Sequence, residues 1–271
     1  MRLGTNIVAL RGVNNLNKVN SMKEKALEKL STGKRINSAS DDAAGMSVAT
    51  KLDSKIQGLQ MAVRNTLDGC SMVETSEAVL GEVTDILQRL RELCVQTAND
   101  TYGADERDKT KVEIDELVLE LDRISGSTKF NGINLLDGNA VDLVLQVGAD
   151  KGDTLELSFP SVASTDLGVD ALDISTSEKA QDSIETLDDA LSTLMDERSR
   201  LGATINRLNY TVSNLNTMIE SMSSAHSRVI DTDMSLEMMN FTKNNILSQS
   251  STSMLSQAMQ MPNAILSLLQ Q

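Results

Sequence analysis

The sequence predicts a mainly α protein: an elongated rod of long antiparallel helices, with coiled-coil helices at the termini and a β-hairpin at mid-chain. Three observations predict it. From Ala180 through Leu187, Leu194, Leu201, Leu208 and Leu215 to Val229, seam residues recur at alternating spacings of four and three over seven heptads, the pattern of a coiled-coil seam. Proline is absent before Pro160 and occurs once more, at Pro262, so long helices are unobstructed on both sides of the middle. Three Phe, two Tyr and no Trp disfavour a core built on large aromatic anchors and leave aliphatic helix seams. A helix of seven heptads is ~75 Å long, whereas a compact chain of this size has a radius of gyration of only ~18 Å, so a rod is expected.

Taken in order, Leu3, Ile7, Leu10, Val13, Leu16, Val19, Met22, Ala26 and Leu30 are spaced by three or four and predict an amphipathic helix that stops at Gly33. A second helix is expected after Ser38 to Asp42, whose short polar side chains can accept from orphan amides and whose two acids suit the positive end of the helix. Its stripe is Val48, Leu52, Ile56, Leu59, Val63, Leu67 and Cys70, continued by Val73, Leu80, Val83, Leu87, Leu90 and Cys94. A third helix spans about 105 to 125, with Ile114, Leu117, Leu121 and Ile124 on one face, and 126 to 138 reads as loop. Alternation of Val141, Leu143, Leu145 and Val147, a turn from Gly148 to Asp153, and renewed alternation at Leu155, Leu157 and Phe159 predict a hairpin over 141–159. The heptad helix follows. Asp231 to Asp233 mark a joint before a last amphipathic helix, expected to kink or restart at Pro262. The simplest chain path sets the first and last helices side by side. Two such helices bury little surface alone, so they are expected to fold fully only when copies pack.

The composition narrows function. Twenty-five basic against 39 acidic residues, a net charge of -14, would repel a phosphate backbone, so no nucleic-acid partner is expected. The longest apolar run is four residues, Ile7 to Leu10, which predicts neither membrane insertion nor a cleavable signal. Cys70 and Cys94 on one helix would lie ~36 Å apart, beyond disulfide reach, and read as small core residues.

Candidate chemistry is sparse. Asp41 and Asp42 could suggest an acid pair, but no base, nucleophile or metal cluster accompanies them, and capping explains them better. Gly33 and Lys34 lack the upstream glycine, the following hydroxyl residue and the strand of a phosphate loop. Arg198 and His226 occupy seam registers, where polar residues fix register or partner. The Met-rich C-terminal segment, with Met234, Met238, Met239, Met254, Met259 and Met261, suits deformable packing or a chaperone contact. Ser161, Ser164, Thr165, Ser175 and Thr176, near the predicted outer tip, are O-glycosylation candidates by composition alone. No cofactor and no catalytic or metal site are expected.

Four stretches carry a resemblance: LEKLSTGKRINSASDDAAGMSVATKL (27–52), LQRLRELCVQTAND (87–100), LDRISGSTKFNGINLLDG (121–138) and SMLSQAMQMPNAILSLL (253–269). With these, in this order, the chain resembles bacterial flagellin over nearly its whole length. The resemblance implies a homopolymeric structural protein of the flagellar filament, not an enzyme, used for swimming motility and located outside the cell. It implies an N-terminal core helix over 1–35, a spoke connector over 36–46, a rod domain over 47–176 and 177–230, and a C-terminal core helix over 231–271. Lys34, Arg35, Asp41 and Asp42 would make inter-subunit contacts at the spoke. Arg89, Leu93 and Glu113 match a packing surface that an innate-immune Toll-like receptor reads. Further implied are export through the flagellar type III apparatus, a chaperone on the C-terminal helix, and contacts with filament cap and hook-filament junction proteins. With only about 17 residues between Phe159 and Ser177, the chain looks like a core-only flagellin. Its single His excludes the His-Glu-x-x-His motif of enzymatic insertions. The alternatives are the hook-filament junction protein, which usually has Pro after the Asp pair where Ala43 and Ala44 stand here, and a secreted coiled-coil binding module.

Overall fold

The computed structural model describes residues 6–138 and 143–269, with side chains up to residue 260. Its helices are α1 (Ile7–Thr32), α2 (Ala43–Thr97), α3 (Ala104–Ser127), α4 (Ser177–Ile230) and α5 (Met234–Leu269). Two small antiparallel pairs lie between α3 and α4: β1 (Lys129–Phe130) with β2 (Ile133–Asn134), and β3 (Leu143–Gln146) with β4 (Thr154–Leu157). The chain forms two compact units, one of residues up to 54 with those from 221 onward, the other of residues 55–220.

The unit of residues 55–220 is built on the seams that periodicity marks. Leu80, Val83, Leu87, Leu90 and Cys94 of α2, Ile114 and Leu121 of α3, and Leu187, Leu194, Leu201 and Leu208 of α4 are buried together. Arg91 meets Asp188 at 2.6 Å and Glu77 meets Arg198 at 2.7 Å, so α2 and α4 run antiparallel. Every seam position from Ala180 to Ile219 is buried or half-buried. Thr66, Ser76, Thr84 and Thr97 are buried on α2 without leaving orphan hydroxyls, because each donates back to the carbonyl four residues earlier,. Arg107 closes the α2–α3 turn, donating to the carbonyls of Thr97 and Asn99 at the end of α2, where a cation also meets the negative end of the helix dipole.

Several expectations change. The stretch 126–138 is not all loop: Asn131 and Gly132, at φ of 49° and 83°, make the two-residue turn of a hairpin joining β1 to β2. Asn-Gly is the sequence most tolerant of that left-handed geometry. The second hairpin pairs Leu143 with Leu157 and Leu145 with Leu155; its strands are shorter than 141–159, and Val141 lies outside the described residues. Helix α5 passes residue 262 without a break. Val48 and Leu67, assigned to the buried stripe of α2, are about half exposed. The stretch between β4 and α4 is a strap that buries Phe159, Val162, Val169, Leu172 and Ile174 in the core.

In the other unit α1 and α5 pack antiparallel. The Asn6 amide donates to the Ala258 carbonyl at 2.8 Å, and the Ser248 hydroxyl donates to the Asn20 side-chain oxygen at 2.9 Å. Gly12 lets Leu255 approach so closely that a Cβ there would stand 3.2 Å from its Cδ1. Ala26 and Ala258 are buried in this unit, but no large side chain of α1 or of the described part of α5 is.

Candidate functional site

The surface of α1 and α5 is the first candidate. Ile7, Val8, Leu10, Val13, Met22 and Leu27 are exposed on α1, and Met234, Leu236, Met238, Met239, Ile246, Leu247, Met254 and Met259 on α5. Scattered exposed aliphatics are ordinary, but a concentration on one helix pair marks an interaction surface.

The joint that follows α1 is held within the chain. Gly33 adopts φ of 68° and its N–H donates to Lys29 O, ending the helix in a left-handed cap,. Lys34 and Asp231 then form an isolated antiparallel bridge, with Thr232 N–H donating to Gly33 O at 3.0 Å. The Arg35 guanidinium donates to the carbonyls of Arg228 and Val229 at 3.3 and 2.7 Å, in the last turn of α4. Ile36 is only 4% exposed and packs with Met46, Ala49, Val229 and Ile230.

The adjacent acids have separate tasks. Asp41 accepts from the backbone N–H groups of Ser38 and Asn37 and from the Ser38 hydroxyl, closing the turn, and these bonds, Ser38 first, hold its carboxyl below the ordinary value. Asp42 accepts from Ala44 and Gly45 N–H at 3.1 and 3.0 Å, capping α2,. Asp233 repeats the device at α5, accepting from Ser235 and Leu236 N–H at 2.8 and 3.1 Å. No arrangement for acid–base chemistry results. Among the described residues no group of three or more His, Cys, Asp or Glu could hold a metal, and no helix is long and apolar enough to cross a membrane.

On α2, Arg89 is half exposed and reaches Glu113 of α3 through Nη2 at 2.7 Å and Nε at 3.1 Å, and Glu92 through Nη1 at 3.1 Å. Leu93 does not share that surface; it is 2% exposed and sits in the core. Arg198 lies at the rim of its seam and pairs with Glu77, while His226 is half-buried in the other unit. Ser164 is buried, its N–H and hydroxyl both donating to the Asp122 carboxylate at 2.8 and 2.9 Å. Ser161 is half-buried and bonded to Asp166, whereas Thr165, Ser175 and Thr176 are exposed. Both thiols are buried and free; desolvation pushes Cys94 from the ordinary 9.0 up to about 11, with Lys111 opposing. Burial also raises Cys70, as does its bond to Glu74.

Ile36 is what periodicity misses. It stands alone in a polar run, and only its neighbours in space, Met46 and Ala49 of α2 with Val229 and Ile230 of α4, reveal why it is apolar. The paired caps Asp42 and Asp233 were visible as short acids before apolar runs.

A helical chain whose aliphatic seams are closed in one unit and left open on a helix pair in the other defines a self-assembling structural protein. The profile of the bacterial flagellin N-terminal helical region matches residues 3–141, and that of the C-terminal helical region matches residues 184–269. The chain belongs to the bacterial flagellin family. It is 42% identical to flagellin of Halalkalibacterium halodurans over 99% of this chain and all of that one, and 38% identical to flagellin of Bacillus subtilis over the same shares. Flagellin of Salmonella typhimurium is 42% identical over 68% of this chain but only 37% of its own length. The crystal structure of Bacillus cereus flagellin superposes with a TM-score of 0.51 at 33% identity, covering 60% of this chain and 94% of that one. A putative flagellar hook-associated protein from Vibrio parahaemolyticus gives a TM-score of 0.61 at 16% identity over 70% of this chain and all of that one, which shows the fold alone. The chain is a subunit of the flagellar filament, a structural protein rather than an enzyme, and the family places it outside the cell. The junction-protein alternative is not favoured.

Proposed function

We propose that α1 and α5 form the polymerising element of the subunit. The exposed aliphatic surface of this helix pair carries the reading: among the described residues fourteen large apolar side chains, six on α1 and eight on α5, stand open to solvent. Copies stacked head to tail would cover that surface, and a rotation that does not close gives a filament. In this reading 1–35 and 231–271 are the core helices, 36–46 is the spoke, and 47–176 with 177–230 make the rod. The spoke's charges act first within the chain, Arg35 on α4 and the two Asp on their own turns, so Lys34 is the charge best placed to meet another copy.

The finer partners follow as part of the same proposal. Export through the flagellar type III apparatus, a chaperone on the Met-rich α5, and cap and junction proteins at the filament ends are consistent with the family. Recognition by an innate-immune Toll-like receptor rests on Arg89 and Glu113 at the surface, with Leu93 supporting them from the core. Swimming motility follows from the filament. Sugars on this chain are expected at the exposed Thr165, Ser175 and Thr176 before the half-buried Ser161 and the buried Ser164. Electron microscopy of purified protein seeded at high salt, with circular dichroism before and after, tests the central reading. Long regular filaments with a gain of helix are expected; persistent monomers, or full helix in the monomer, would overturn it.

A further inference from the structure

Gly58 and Gly69 lie in the interior of α2, where glycine is a poor helix former. Eleven residues is close to three helical turns, so the two share a face. That face carries the β3–β4 hairpin. A Cβ built at Gly58 would stand 3.0 Å from the Ala149 Cβ and 3.6 Å from its Cα; one at Gly69 would stand 2.5 Å from Leu145 Cδ2. Gly202 in α4 is the contrast, since a Cβ there meets nothing within 4 Å.

Polar ties fix the hairpin between and beside the notches. Lys55 pairs with Asp150 at 3.0 Å, and the Asn65 amide donates to the Gln146 carbonyl at 3.3 Å. The Gln146 amide closes the turn by donating to the carbonyls of Gly148 and Asp150, both at 2.8 Å. Ala149 has no rotamer with which to yield, whereas Leu145 can swing its end away. Gly58 is therefore the rigid stop and Gly69 the softer one. On the other face of the hairpin Val144 is 63% exposed, opposite exposed Glu156.

We propose that Gly58 and Gly69 are positioning residues for assembly: they set the height of the hairpin above α2, and with it how the outer hairpin face meets a second copy of the chain. This rests on the filament-subunit reading. Overpacking at a close backbone approach displaces the weaker element, and here that is the two-stranded ribbon rather than the helix.

The test is a swap in the full chain: Gly58→Ala, Ala149→Gly and the two together. Hydrogen exchange at the hairpin amides, including Val147 N–H, which donates to Asp153 O, reads the seat; seeded filament growth reads its consequence. Gly58→Ala should speed hairpin exchange about tenfold and slow growth, and the double variant should recover both. Wild-type exchange and growth in Gly58→Ala, or no recovery in the double variant, would overturn the proposal. Altered exchange with unaltered growth would overturn the link to assembly. If Gly58→Ala does not fold, Gly69→Ala with and without Leu145→Ala applies the same criterion. Wild-type protein that never forms filaments counts against the filament reading, while the exchange arm still judges the seat.

Discussion

The unit of residues 55–220 and the unit of the two termini use the same aliphatic helices to opposite ends. In the first, Leu80, Leu87, Leu90, Ile114, Leu121, Leu187 and Leu208 are fully buried against one another. In the second, burial among the described residues is confined to alanines, Asn244 and the small cluster around Ile36 and Ile230, while Ile246, Met239 and Met254 are more than 60% exposed. Burying a leucine completely is worth roughly 1.5–3 kcal/mol. The first unit collects that gain within one chain; in the proposed reading the second leaves it to be collected between chains. On that reading, monomer stability and the main assembly surface belong to different residues, with the hairpin face of the closed unit as a smaller addition.

The sharpest way to break this division is to exchange the expected effects. Ile246→Asp should abolish filament growth while changing monomer stability by no more than about 0.5 kcal/mol, the usual range for surface substitutions. Leu90→Ala should cost the monomer about 2–5 kcal/mol through transfer and cavity terms. Sedimentation of seeded protein and urea unfolding of the monomer check the pair. An Ile246→Asp monomer as damaged as Leu90→Ala would show that α5 is already buried without partners.

A thiol sharpens the claim that the first unit is dry. Burial raises Cys94 from 9.0 to about 11, so the folded state keeps its proton where the unfolded chain loses it. The stabilising contribution is complete below pH 9 and is lost as pH rises through 11. Cys94→Ala should remove that alkaline fall, measured by unfolding at pH 8 to 11. An unchanged profile would mean that water reaches the thiol.

How much of this was legible follows the range of the interactions. The heptads of α4, the cap at Gly33 and the hairpin alternation are local patterns, and the structure follows them closely. Val48 and Leu67 misled because periodicity reports which residues share a face and not whether anything covers it. The Arg35 contact with the end of α4 was illegible because its partners lie more than 190 residues away, and half of the cluster around Ile36, Val229 and Ile230, is as distant. By helix propensity alone Gly58 and Gly69 are weaknesses in α2; the close contacts they allow appear only with Ala149 and Leu145 in place. Asn131 and Gly132 did carry a hairpin signal that the surrounding loop composition obscured.

Glycine gives a smaller test within one unit. Gly202 faces open space in the middle of α4, so Gly202→Ala should stabilise by about 1 kcal/mol through helix propensity alone. Gly58→Ala carries the same propensity gain against a close contact. Thermal unfolding of both should therefore give shifts of opposite sign, and matching upward shifts would show that the contact at Gly58 relaxes freely.

The smallest expected effect concerns the ion pairs on the outside of the closed unit. Hydrogen bonding from Arg91 is the main cause that lowers Asp188 from its ordinary 3.8. A depressed carboxyl contributes stability that is complete above the unfolded value and lost as pH falls through the folded one, so this pair fades only below pH 3.8. Both side chains are about half exposed, and water screens such pairs until little net energy remains. Asp188→Asn should thus leave neutral stability nearly unchanged and make the acid limb of the unfolding curve slightly shallower, as followed by circular dichroism from pH 5 to 2. A large loss at neutral pH would instead make the α2–α4 seam depend on its charged rim, and the aliphatic core would no longer account for the difference between the two units.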